Sequence, residues 1–219
     1  MAIQFGNDKI KEIYVGSDKI KEVYYGSEKV WGEAETIQEG YWVHADTGVK
    51  TYFGLDDPSI TDGIMSYPSW MYDCSEVQLP TGLIGLGDYC FQWSEYLTSI
   101  NIPEGVTSLG DYCFSNCISL TSITLPESVT SIGDNCFEVC IALTSITIPE
   151  NVTSLGVNCF FNCISLILAT VLPATPPTLG AEAFYHVHSS FNIKVRSPYV
   201  NAYKTATNWI NFADRISAI

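Results

Sequence analysis

The sequence predicts an α/β solenoid: a stack of 23-residue coils made of short parallel β-strands and short helical turns, preceded by a small β-meander. Two periodicities carry this prediction. Pro80, Pro103, Pro126 and Pro149 recur every 23 residues, as do Gly87, Gly110, Gly133 and Gly156, and Phe91, Phe114, Phe137 and Phe160. A fixed period of about 20–50 residues is the signature of stacked repeats. Nearer the amino terminus, Gly6, Gly16 and Gly26 recur every ten residues, with Ile10, Ile20 and Val30 in step.

The elements follow in chain order. Over residues 1–32, β-prone pieces (Ile13 to Val15, Val23 to Tyr25) alternate with Gly-Ser turns, which reads as a short meander. Residues 33–73 do not repeat and are rich in aromatic side chains, among them Trp42, Trp70 and Tyr72. These either seal the open end of the stack or offer rings to a sugar or a partner. Residues 74–189 hold about five coils, the last one residue longer, since Gly180 and Phe184 fall 24 after Gly156 and Phe160. Residues 190–219 break the period and read as a strand, Asn192 to Arg196, followed by a helix around Tyr199 to Thr205.

Within one coil, Leu120 to Ala142, the spacing places Leu120, Ile123 and Leu125 inward on a strand that Pro126 ends. Val129 and Ile132 point inward from a second extended piece. Gly133 allows a bend, and Asp134 stands where a helical turn would want its N-cap. One such coil cannot bury its own apolar side, whereas stacked coils bury a continuous core with strands ~4.8 Å apart.

Composition removes several function classes. The net charge is −14, from 24 acidic against 10 basic residues, so the footprint for nucleic acid or an anionic membrane surface is missing. No stretch is long enough to span a bilayer: "CISLILATVL", Cys163 to Leu172, is about half the length required. No basic segment followed by an apolar run opens the chain, so export through a signal peptide is not expected.

The eight cysteines are expected as buried thiols rather than four disulfides. The column Cys90, Cys113, Cys136, Cys159 continues as Ala183. The column Cys117, Cys140, Cys163 holds Ser94 in the first copy and Val187 in the last, and Cys74 stands where later repeats have Leu. Positions that accept Ala, Ser, Val and Leu are positions for small buried groups. The C-x-x-x-C spacing does not match a zinc knuckle. Of the three histidines, His186 and His188 would share one strand face, with no third ligand in view. No nucleophile elbow, P-loop or dinucleotide fingerprint occurs, so neither enzyme nor cofactor is expected. Glu104, Glu127 and Glu150, and Asp88, Asp111 and Asp134, form carboxylate ladders that read as solvated or turn-capping groups.

The pattern L-x-x-I-x-I-P-x-x-V-x-x-I-G-x-x-C/A-F-x-x-C, closest over Leu97 to Leu166, resembles the BspA-like leucine-rich repeat of bacterial surface proteins. The closing "SPYVNAYKTATNWINFADRISAI" is similar to the cap that ends such arrays. The resemblance implies a leucine-rich-repeat-type stack at a cell surface or secreted, acting in adhesion or protein interaction without catalysis. The ten-residue repeats resemble short β segments of phage and prophage structural proteins, which implies a virion-associated role as the alternative. A carbohydrate-binding module on the aromatic segment is the third reading. The expected partner is a protein or a glycan. Solenoids bind along exposed strand faces, and here that face carries Ser99, Asn101, Ser122, Thr124, Ser145 and Thr147.

Overall fold

The structure, a computed structural model, describes residues 14–15, 18–19, 22–25, 28–32, 40–47, 50–53, 58–66, 68 and 71–219. The chain divides into two compact units, Met1–Glu39 and Gly40–Ile219. In the first, Tyr14–Val15 pairs antiparallel with Asp18–Lys19, and Glu22–Tyr25 with Glu28–Gly32. Among the described residues these form two two-stranded antiparallel sheets within the segment expected as a β-meander. Residues 2–13 of that expectation lie outside the described residues.

The second unit is the solenoid, and strands line two sides of it. One is a seven-stranded sheet of two-residue strands, Ile60–Thr61, Ile64–Met65, Gly85–Leu86, Ser108–Leu109, Ser131–Ile132, Ser154–Leu155 and Thr178–Leu179. Each pairs parallel with the next, except the first two, which form a hairpin. The longer strands form the other side, in two separately hydrogen-bonded sheets. Ser99–Asn101 pairs with Ser122–Thr124, and Ser145–Ile148, Leu168–Val171, Asn192–Val195 and Ile216–Ala218 pair in sequence, all parallel. Register is one whole coil: Ser99 lies beside Ser122, and Ser131 beside Ser154. In the fifth coil Val171 still pairs with Ile148, but Thr178 pairs with Ser154. The extra residue is therefore absorbed at the Pro173–Pro177 corner, outside both ladders.

The return side differs from the expected helical turn. Residues 134–140 form two successive tight turns, closed by N–H donation from Glu138 to the Asn135 carbonyl (3.1 Å) and from Cys140 to that of Phe137 (3.2 Å). Each turn needs one left-handed residue, Asn135 (φ 54°) and Val139 (φ 60°). The freed N–H groups bond across coils instead of along a helix. Asn135, Phe137 and Val139 donate to the Val157, Cys159 and Phe161 carbonyls at 2.8–2.9 Å. An i→i−4 helix would satisfy these donors within one coil and leave the stack unlaced on that side.

The aspartate ladder is reassigned for the same reason. Asp88, Asp111 and Asp134 each accept, through Oδ1, the backbone N–H of the next coil (Asp111, Asp134 and Val157) at 2.7–2.8 Å. The preceding glycine makes this possible. A Cβ on Gly133 would sit 2.5 Å from Asp111 Oδ1 and 2.7 Å from the Gly110 carbonyl carbon. Gly133 is thus required by close coil approach rather than by a bend. At another corner, the Thr107, Thr130 and Thr153 hydroxyls donate to carbonyls of the preceding coil at 3.1 Å.

The core lies between the ladders and the turns. Phe91, Phe114, Phe137, Phe160 and Phe184 stack with ring centroids 5.1–5.4 Å apart and planes within 5°. All eight cysteines carry buried thiols. Cys117, Cys140 and Cys163 donate S–H to the Phe91, Phe114 and Phe137 carbonyls of the preceding coil at 3.0–3.1 Å. Ile100 and Ile146 are buried as expected, whereas Ile123 and Leu125 are only half-buried.

Different chemistry closes each end of the solenoid. At the amino-terminal end, Gly40–His44 pairs antiparallel with Lys50–Phe53 on one side and with Cys74–Gln78 on the other. At the carboxyl end, the expected strand and helix appear as Asn192–Val195 and Val200–Thr205, and a 3-10 helix, Trp209–Arg215, follows. Phe212 meets the last ring of the stack edge-on, 86° and 5.8 Å from Phe184. Tyr203 Oη donates to the Pro173 carbonyl at 2.8 Å and Trp209 Nε1 to that of Pro177 at 2.7 Å. Asn208 Nδ2 donates to the Leu179 carbonyl, closing the edge of the short-strand ladder.

The packing can be tested by mutation, by pH and by thiol chemistry. Phe137→Ala removes a ring stacked on both faces and should cost about 3–5 kcal/mol, read as a lowered Tm or denaturant midpoint. Burial pushes the Cys74 and Cys163 thiols up to about 12, and holds Cys113, Cys117, Cys136, Cys140 and Cys159 well above the ordinary thiol value. Above about pH 9 the unfolded chain has lost these protons while the folded chain keeps them, so stability falls as pH rises. The expected slope is about 1.4 kcal/mol per pH unit for each such thiol, measured by denaturation between pH 8 and 11 (roughly the range where unfolded thiols ionise). A thiol-specific reagent should find no reactive thiol in the folded protein and eight after unfolding.

Candidate functional site

The six residues read from the sequence as a partner face lie on three consecutive long strands. Ser99 and Asn101, Ser122 and Thr124, and Ser145 and Thr147 are all exposed, with each pair one coil from the next. Between them, Ile100, Ile123 and Ile146 point inward, as strand alternation requires. The stripe is uncharged and its members are short side chains; Ser99–Asn101 pairs with Ser122–Thr124, whereas Ser145–Ile148 pairs onward with Leu168–Val171 in a separate sheet. Little side-chain entropy is lost when a partner settles on such groups.

The six positions carry no charge, while Lys194 lies two strands further on, in the same row as Thr147 and Thr170. Glu127 Oε2 accepts the Glu150 N–H at 3.1 Å, so part of the glutamate ladder caps backbone rather than standing only in solvent. Glu150 is gripped by Arg196 through two bonds of 2.7 and 2.9 Å. The hydrogen bonds and charge of Arg196 hold the Glu150 carboxyl below its ordinary range.

The aromatic candidates separate. Trp42 is half-buried against the core from the capping strand Gly40–His44, its ring 6.1 Å from that of His44. Tyr72 is exposed, and Trp70 lies outside the described residues. The neighbouring Tyr41 hydroxyl donates to Glu76 at 2.6 Å. The histidine pair does not share a strand face. His186 sits in a turn with φ 56° and its ring edge-on to Phe161, while His188 Nδ1 accepts the Ser190 N–H. Among the described residues no group of three or more His, Cys, Asp or Glu side chains is placed to hold a metal ion.

Sequence reading missed a further aromatic group on the turn side of the first coils. Tyr89, Trp93 and Tyr96 are exposed, and Tyr89 stacks on Tyr112 with centroids 5.3 Å apart. Tyr89, Trp93 and Tyr112 all have positive φ, at positions where later coils place Asn135, Asn158, Asn116 and Asn162. The signal was available in the columns: asparagine tolerates the left-handed region, and the aromatic exceptions carry strain. Val139 is the β-branched exception in the same column as Trp93.

With the geometry in place, relatives can be compared. The family profile described as BspA type leucine rich repeat region matches residues 69–201 in six copies. No curated protein sequence matches. Among solved structures, the chain is similar to the leucine-rich repeat protein TpLRR of T. pallidum, at 26% identity and TM-score 0.49, over 63% of this chain and 59% of that one. It is also similar to a leucine-rich cell surface protein of Faecalibacterium prausnitzii A2-165, at 21% identity and TM-score 0.38, over 97% and 56%. A leucine-rich repeat protein of Bacteroides ovatus ATCC 8483 matches at 20% identity and TM-score 0.36, over 73% and 54%. The chain thus spans about half the length of these solved chains.

The strained column yields a prediction. Val139→Asn should raise stability by about 1 kcal/mol by relieving a β-branched residue in the left-handed region. Thermal denaturation reads the gain, and a lowered Tm would show that Val139 side-chain packing outweighs the strain.

Proposed function

The chain belongs to the BspA-type leucine-rich repeat family, a protein-interaction repeat module, and from that premise we propose that it is a non-enzymatic adhesion module holding a protein partner on the stripe Ser99, Asn101, Ser122, Thr124, Ser145 and Thr147. One observation carries the reading. These six side chains are exposed and neutral on three successive strands, the first two paired in register, with the Glu150–Arg196 ion pair at the neighbouring corner. A flat array of hydroxyl and amide groups offers donors and acceptors at each coil, spaced ~4.8 Å apart. It suits a partner that presents a polar backbone edge or matching side chains along the stack axis. None of the six stripe residues is a base that could activate a neighbouring hydroxyl, which supports binding over turnover. No helix among the described residues is long and apolar enough to cross a membrane.

The test introduces charge at the centre of the stripe. Wild type and the double variant Thr124→Lys/Thr147→Lys are compared for binding to immobilised extracellular-matrix proteins and to cultured epithelial cells. The double variant should bind about tenfold or more weakly, because two unmatched charges would be buried in the contact. Its Tm should stay close to that of wild type, since both sites are exposed. Equal binding by the variant removes the stripe from the proposal, and no binding by either protein removes the adhesion reading.

A further inference from the structure

A second surface feature lies at the carboxyl end of the stack, apart from the strand face. The turn carrying Phe184, Tyr185, His186 and Val187 and the 3-10 helix carrying Asn211, Phe212 and Arg215 enclose a cleft of about 220 Å³. Its floor is apolar: Phe184 and Phe212 are buried and meet edge-on. One wall is the exposed Tyr185 ring, 86° and 6.3 Å from Phe212. The rim is polar, formed by the His186 imidazole, the Asn211 amide and the Arg215 guanidinium.

Arg215 is the feature that most needs a ligand. The chain has two arginines in a background of net charge −14. Arg196 is held by Glu150 through both guanidinium nitrogens. Arg215, among the described residues, has no carboxylate partner, although carboxylates outnumber cations more than two to one. A guanidinium is a planar fork that matches a carboxylate in two parallel bonds. His186 supplies a second polar group at the rim. It is held at φ 56° in the column where other coils use Asn116 and Asn162, and its ring is set against Phe161.

We propose that this cleft binds a sugar acid, a carboxylate borne on a hydroxylated six-membered ring. The volume is below the ~300 Å³ at which pockets begin to enclose drug-sized ligands, so it takes a single ring and not a folded peptide. The carboxylate meets Arg215. The ring lies against Tyr185 and the Phe212 edge, where aromatic carbon covers its C–H face. The ring hydroxyls meet Asn211, His186 and the Tyr185 hydroxyl, groups that both donate and accept.

The experiment is titration of the full chain with methyl glucuronide, followed by calorimetry or ligand-observed NMR. Methyl glucoside, which lacks the acid, and acetate, which lacks the ring, are the controls. The methyl glycoside of a sialic acid is the second acidic arm and distinguishes the two sources of the same chemistry. At least one acidic glycoside should bind saturably at millimolar concentration, with both controls about tenfold or more weaker. Arg215→Gln should lose about tenfold or more, and Tyr185→Ser should weaken binding with the backbone turn unchanged. Thr124→Lys/Thr147→Lys should leave it unchanged, which separates this cleft from the strand face. Acetate binding as well as the glycosides would reduce the site to a simple anion contact and overturn the proposal. Absence of saturable binding by either acidic glycoside, or full binding by Arg215→Gln, would also overturn it.

Discussion

Everything in the array depends on one constraint: neighbouring coils are hydrogen-bonded at the spacing of a β-ladder, ~4.8 Å, so every side chain lies on its own counterpart. Residue choice then becomes a question of what tolerates its own image. Phenylalanine does, because parallel rings at 5.1–5.4 Å fill the interior without a gap. Threonine does, because each hydroxyl donates to the carbonyl of the coil before it. Aspartate should not, since stacked carboxylates repel, yet each Asp Oδ1 is occupied by a backbone N–H of the next coil. The glycine column exists to let that carboxylate and the backbone beside it come so close.

The same constraint explains why the ends look unlike the middle. A terminal coil has nothing above or below it, so its ladder edge and its core ring stand open. At the front an antiparallel hairpin supplies the missing strand next to Cys74–Gln78. At the back, the stack of parallel rings ends on an edge-on Phe212, and side-chain donors from Tyr203, Asn208 and Trp209 take up carbonyls of the last full coil. These caps are built from residues that do not repeat.

Much of this was legible in the sequence because period is a global property. The 23-residue register located both ladders, the inward Phe and Leu columns and the substitution of cysteine by Ala, Ser and Val. Local geometry was less legible. The segment from Asp134 to Leu143 has apolar spacing compatible with a helix, and nothing within one coil reveals that its N–H groups bond to the next. Asparagine recurring at 116, 135, 158 and 162 was the available sign of left-handed turns. Of the candidate face, the exposure of Ser122 and Thr124 followed from alternation alone. The Arg196–Glu150 pair did not, because it joins coils two apart around a corner whose length departs from the period. The turn-side aromatics Tyr89 and Trp93 were hidden by standing in columns defined by asparagine.

Whole-coil register has a consequence for how such a chain can change. Ser99 pairs with Ser122, and Ser131 with Ser154, through contacts that one interior coil makes as well as another. Copying or deleting a 23-residue unit within the array would therefore rejoin matching surfaces, moving the two caps together or apart without altering either. Only a whole unit permits this, because a part-unit would set Gly beneath a side chain and bring Asp opposite no N–H. The odd residue at the Pro173–Pro177 corner marks a place where the count was broken without harm. Length is thus a free variable of this architecture, and the reach of its outer face can grow in steps of one strand.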